Sequence, residues 1–266
     1  MRSTLLWRSI ALGLSVSLAF GPHGAAANSL AYAEDFVGGG FNFDRLDFSD
    51  PPQYIGSLSI YAITGAFIDD DFSKEYIIDY TLGNLYSIDV LTANPTLIGN
   101  VSTPGNAPKG MHWDPASNQT FLVATDASCA TSTLYSLDTV DASTVEVGST
   151  PGCIAGLAID ANGSAFGIDS VADSLVSIDT TTGAATEIGA LGFHPEFAIG
   201  GFDFDPATGL LYLFAHDATA GFNGLYVVDT TLGDATLVAS TSRTLLGFAF
   251  AKAAGSLFAN GFDPYF

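Results

Sequence analysis

The chain has 266 residues, with 28 Asp and Glu against 7 Lys and Arg, a formal net charge of −21, 48% hydrophobic residues and 12% aromatics. That much apolar material excludes a disordered acidic tail and suits one all-β domain with a substantial core. The charge excludes nucleic-acid partners and anionic membrane surfaces, both of which are held by Lys and Arg that this chain lacks.

At the N-terminus, Arg2 and Arg8 precede an apolar stretch over residues 10–20 and then small residues, the three-part pattern of a secretory leader. The stretch is about half the ~20 residues that cross a bilayer, and no later segment is long enough. The reading is a leader within residues 1–33, cleaved after Ala27 or after Ala33, followed by a single domain over 34–266. The expected location is secreted, in the periplasm or outside the cell, with no membrane insertion of the mature chain. Its acids are 23 Asp to 5 Glu, a bias toward turns because Asp hydrogen-bonds nearby backbone.

From residue 65 onward two phrases alternate. The first pairs an apolar run with a turn: Gly65-Ala66-Phe67-Ile68-Asp69, Gly110-Met111-His112-Trp113-Asp114, Gly156-Leu157-Ala158-Ile159-Asp160, Gly201-Phe202-Asp203-Phe204-Asp205 and Gly247-Phe248-Ala249-Phe250-Ala251. Their last residues lie 45, 46, 45 and 46 apart. The second begins Leu85-Tyr86-Ser87-Ile88-Asp89 and recurs at Leu134, Leu175 and Leu225. Each unit of about 45 residues thus carries four short antiparallel strands, the blade of a β-propeller. Five copies of the first phrase and four of the second leave one blade half-built. Its missing half is matched by Leu46-Asp47 and Tyr54-Ile55-Gly56. The expectation is five four-stranded blades in a ring closed by N-terminal strands, with residues 40–56 pairing around Phe248–Phe250 and residues 257–258.

The run from Ile178-Asp179-Thr180-Thr181-Thr182-Gly183 to Ile188-Gly189, and the run from Gly201 through Phe204-Asp205-Pro206 and Thr208-Gly209 to Tyr212, resemble repeats of secreted bacterial propellers of quinoprotein-like, NHL-like and uncharacterised type. The resemblance covers residues 40–262 and implies the fold alone.

If strands a to d run outward, the a–b and c–d turns repeat one chemistry, while the b–c loops and d–a crossovers vary. A ligand is expected on the variable face at the central channel. Two residues before the turn Asp, the blades carry Phe67, His112, Ala158, Asp203 and Ala249; His112 and Asp203 depart from apolar and are candidate ligand-binding residues. His194 and His216, on variable loops, complete that candidate set. Each has a bland alternative as a satisfied core or loop polar group. Asp69 and Asp71 with Glu75 offer hard oxygens suited to calcium, without the glycine and spacing of an EF-hand; a solvated acidic turn is the competing reading. No other cofactor is expected. Cys129 and Cys153, an even pair in an exported chain, fall on loops of the same face and are predicted to form a disulfide.

Nucleophile-elbow, zinc-protease, phosphate-loop and dinucleotide motifs are absent. No catalytic residues are therefore assigned. The expected function is a non-catalytic binding propeller for an extracellular glycan, small molecule or protein. The alternative is an extracellular hydrolase or lactonase, which would need two or three inward carboxylates on different blades.

Overall fold

The computed structural model describes residues 30–37, 40–47, 52–69, 71–196 and 201–251. Residues 1–29, where most of the expected leader falls, and residues 252–266, including the strand expected at 257–258, lie outside the described residues. The first three described strands are β1 (Leu30–Val37), β2 (Gly40–Asp47) and β3 (Gln53–Leu58). Blade 1 follows with β4 (Ala62–Ala66), β5 (Lys74–Asp79), β6 (Asn84–Asp89) and β7 (Pro95–Asn100). Blade 2 is β8 (Asn106–Asp114), β9 (Gln119–Asp126), β10 (Thr131–Leu137) and β11 (Thr144–Pro151). Blade 3 is β12 (Ile154–Ile159), β13 (Ala165–Asp169), β14 (Ser174–Ile178) and β15 (Ala185–Ala190). In blade 4 the innermost strand is described in two pieces, β16 (Pro195–Glu196) and β17 (Phe202–Phe204), both paired to β18 (Leu211–Asp217), which is followed by β19 (Phe222–Val228) and β20 (Ala235–Thr241). The last strand, β21 (Leu245–Ala251), joins β1, β2 and β3 in the order β21-β1-β2-β3 to make blade 5.

Five four-stranded antiparallel blades therefore close into a ring, and the closure is made by N-terminal strands. One detail differs from the sequence reading. The strand against Phe248–Phe250 is β1, with Ala31 opposite Phe250 and Tyr32 opposite Ala249, while β2 and β3 form the two outer strands. The alternation that fits Ala31-Tyr32-Ala33 to a buried strand also satisfies the small-x-small rule of a cleavage site, so these residues read first as leader.

The outermost strand is the least buried of each blade. Every residue of β12 and β21 is buried, whereas the outer strands β7 and β15 are mostly exposed. Inner strands covered on both faces read as unbroken apolar runs. The core is divided into five clusters, each spanning neighbouring blades. Phe43 of blade 5 packs with Ile77 of blade 1, Ile78 with Met111 of blade 2, Phe121 with Ile154 of blade 3, Ile168 with Leu213 of blade 4, and Phe214 with Phe248 of blade 5.

The recurring glycine of the first phrase marks where the innermost strands meet. A Cβ on Gly65 would overlap the Gly247 carbonyl, and one on Gly110 would overlap the backbone of Gly156 and Leu157. The Asp residues cap turns as the composition suggests. Oδ1 of Asp89, Asp114, Asp160, Asp179, Asp205 and Asp229 each accepts from the amide two residues on. Much of the negative charge is thus turn chemistry.

Two cross-links secure the ring. Cys129 in the b–c loop of blade 2 is bonded to Cys153 ahead of β12, with Cα atoms 4.6 Å apart, as the sequence predicts. Within blade 5, Arg243 Nη2 lies 2.7 Å from Asp35 Oδ2 and 3.1 Å from Asp44 Oδ2, tying the crossover before β21 to β1 and β2. Both carboxylates are 1% exposed. Burial pushes their pKa values up and Arg243 opposes it.

A candidate ligand cavity at the axial end of the ring

The inner strands end at the a–b turns, and there the ring opens into a cavity of about 570 Å³. All five blades contribute to it, which places it on the ring axis. Phe67 and Phe72 of blade 1 form one aromatic pair, ring centroids 5.6 Å apart. Phe166 of blade 3 and Phe204 of blade 4 form another at 5.7 Å. Trp113 and Phe250 complete the aromatic lining.

His112 and Asp203 also line this cavity. His112 comes from β8 and Asp203 from β17, two blades apart, yet Nε2 lies 2.7 Å from Asp203 Oδ1. The pair spans blade 3, whose residue at the equivalent repeat position is Ala158. Nδ1 of His112 faces the Trp113 carbonyl at 2.7 Å. Both ring nitrogens therefore meet acceptors, and two N–H donors satisfy them, which is the imidazolium. Desolvation disfavours that charged ring, but the charge and hydrogen bond of Asp203, helped by the Trp113 carbonyl, outweigh it and raise the His112 pKa. Asp203 also accepts from Phe204 N through Oδ1 and from Phe250 N through Oδ2, each at 2.7 Å. The result is an ion-paired crossbar that ties blades 2, 4 and 5 together at the floor of the cavity.

The other two candidate histidines lie elsewhere. His194 Nδ1 contacts Asp173 Oδ1 at 2.6 Å, joining the crossover after blade 3 to its b–c loop, with both side chains well exposed. His216 Nδ1 contacts Asn223 Oδ1 at 2.9 Å across the β18–β19 hairpin. Neither lines the axial cavity. The cavity opens among the repeated turns rather than among the variable loops.

The calcium candidates also separate. Asp71 accepts from Ser73 N and Oγ and lies 3.6 Å from Lys74 Nζ, while Asp69 is exposed in the turn. Glu75 points inward and is 0% exposed. No group of three His, Cys, Asp or Glu placed to hold a metal ion occurs among the described residues.

Inside the ring, sequence reasoning missed a second acidic feature. Glu75 of β5 has neither carboxylate oxygen hydrogen-bonded among the described residues. Burial first, then the charges of Glu34 and Asp203, push its pKa well up. Glu34 of β1 accepts from Ala62 N at 2.8 Å through Oε2, and burial raises it to about 8. A signal existed in the repeat. Continuing the β4–β5 pairing by one residue sets Glu75 opposite Phe67, where the other blades place Phe121, Phe166, Tyr212 and Tyr32.

No family model matches the chain, and no curated protein matches it. Solved structures do. A chain of a nidogen/laminin complex matches with TM-score 0.53 and 12% identity over 79% of this chain and 77% of that one. TolB from Acinetobacter baumannii matches with TM-score 0.52 and 12% identity over 86% and 68%. At such identity the likeness shows the propeller fold. Among the described residues, no helix is long and apolar enough to cross a membrane.

Proposed function

We propose that the protein is an exported, non-catalytic binding propeller whose ligand is a small molecule seated in the axial cavity. The carrying observation is the aromatic lining, contributed by different blades, over a crossbar whose hydrogen-bonding groups are spent within the protein. Small-molecule sites are typically concave and apolar with few polar groups, in the 300–1,000 Å³ range. The disulfide supports an oxidising compartment.

The hydrolase or lactonase alternative draws support from the three carboxylates Glu34, Glu75 and Asp203, which come from different blades. Glu34 and Glu75 are sealed at 1% and 0% exposure, however, so Asp203 alone of the three borders the cavity. A water-attacking mechanism needs a carboxylate within reach of substrate.

The test is a thermal-shift and calorimetric screen with small aromatic compounds on the wild type and Phe166→Ala. Saturable binding that Phe166→Ala weakens supports the reading; no binding, or binding indifferent to Phe166, overturns it. Turnover of chromogenic glycosides or lactones, abolished in Asp203→Asn, would establish the hydrolase instead.

A further inference from the structure

Building on that cavity, we propose that its ligand is an organic cation, an ammonium or quaternary nitrogen compound carrying an apolar or aromatic body. Aromatic faces carry negative quadrupole potential and attract cations within about 6 Å of the ring centroid. Here two aromatic pairs and Trp113 surround one space. The charges point the same way. Asp160, Asp203 and Asp205 line the cavity, and no Lys or Arg among the described residues does. His112 is the single base, and Asp203 neutralises it at 2.7 Å, so the floor adds no net positive charge.

Asp160 is the carboxylate best placed to read the cation. Its Oδ1 accepts from Asn162 N and Ser164 N at 2.8 Å, and its other oxygen carries no hydrogen bond among the described residues. Asp205 spends both oxygens on its own turn, through Ala207 N and Thr208 Oγ1. An anion would therefore meet carboxylates with no free base. A sugar would find the His112–Asp203 crossbar already committed, because both His112 nitrogens and both Asp203 oxygens are engaged, leaving Asp160, Asn162 and Thr230 as its polar contacts in a largely aromatic lining. The net charge of −21 further concentrates cations at the surface.

The experiment is calorimetric titration of the purified protein with benzyltrimethylammonium, benzyl alcohol, benzoate and a methyl glycoside, on wild type, Asp160→Asn and Phe166→Ala. Asn keeps the turn hydrogen bonds while removing the charge. The expected result is saturable binding of the ammonium at least tenfold tighter than the other three, weakened about tenfold in Asp160→Asn with an unchanged melting temperature, and weakened further in Phe166→Ala. If benzyl alcohol, benzoate or the glycoside binds as tightly, or if Asp160→Asn leaves ammonium binding intact, the cation assignment is overturned while the cavity reading stands. If none of the four binds, both readings fall.

Discussion

Glu34 of blade 5 and Glu75 of blade 1 sit inside the closed ring, and the charge of Glu34 makes Glu75 harder to ionise. A buried acid whose pKa is raised keeps its proton in the folded state after the unfolded chain has lost it. Stability is then full below the unfolded pKa of 4.5 and declines as pH rises toward the folded value, about 8 for Glu34. Glu34 alone accounts for on the order of 5 kcal/mol across that window. The raised His112 acts in the same direction, its contribution complete below about 6.5 and lost above its folded pKa. Turn carboxylates such as Asp126, Asp179 and Asp229 have lowered pKa values, so their contribution disappears below about pH 4. The melting temperature should therefore peak near pH 4–5 and fall toward pH 8, with a shallower fall in Glu75→Gln. A melting temperature that rises from pH 5 to 8 would contradict this.

The His112–Asp203 crossbar should show its worth in a double-mutant cycle. His112→Ala leaves the Asp203 carboxylate buried without its ionic partner, a change expected to cost about 3 kcal/mol. The coupling energy between His112→Ala and Asp203→Ala, from denaturant melts at pH 5.5, should lie at about 1–3 kcal/mol and shrink above the His112 titration. Additive behaviour at pH 5.5 would mean that the bridge does not form.

Arg243 holds two carboxylates that are otherwise sealed. Arg243→Met should destabilise by about 3 kcal/mol, because Asp35 and Asp44 lose their cation at once. Adding Asp35→Asn and Asp44→Asn should return part of that loss. Urea melts of the single and triple variants measure both, and an unchanged midpoint in Arg243→Met would show that the triad contributes nothing.

Reducing the Cys129–Cys153 bond should lower stability by about 3 kcal/mol in the chain-entropy picture, since it closes a loop 24 residues long in sequence separation. Non-reducing alkylation and intact mass should find no free thiol in protein recovered from an export compartment. Two alkylated cysteines would refute the linkage in the native protein.

The two cleavage sites differ in what they leave of blade 5. Cutting after Ala33 removes half of β1, including Tyr32, which stacks on Phe43 at 5.6 Å, and places a new charged amine beside buried Glu34. Cutting after Ala27 leaves β1 whole. If the chain is exported and its leader removed, it should begin at Asn28 by N-terminal mass analysis; a start at Glu34 would sink the assignment.

The repeat phrases made the blades legible because a 45-residue period with an apolar run and an Asp turn is a local pattern, and the disulfide followed from strand parity and an even cysteine count. His112 and Asp203 stood out as departures from their siblings, and the structure joins them. Their meeting joins two non-adjacent blades, a spatial fact that one blade's sequence does not contain. Glu75 was grouped with Asp69 and Asp71 by proximity along the chain. Its strand pairing turns it to the opposite side, into the core, a contrast visible only after the five blades are registered against one another.

Blade 5 is assembled from the first three described strands and the last described one, so its innermost strand is synthesised after every other described strand. Until β21 arrives, β1 presents an unpaired inner edge, with Ala31, Tyr32 and Ala33 bare toward the axis. Contacts this distant along the chain form late and slowly. A chain cut short before Leu245 has no way to cover that edge, and it stays open to proteases and to pairing with other chains. Ring closure thus waits on one strand: resistance to proteolysis should appear in one step, when β21 docks, and not blade by blade.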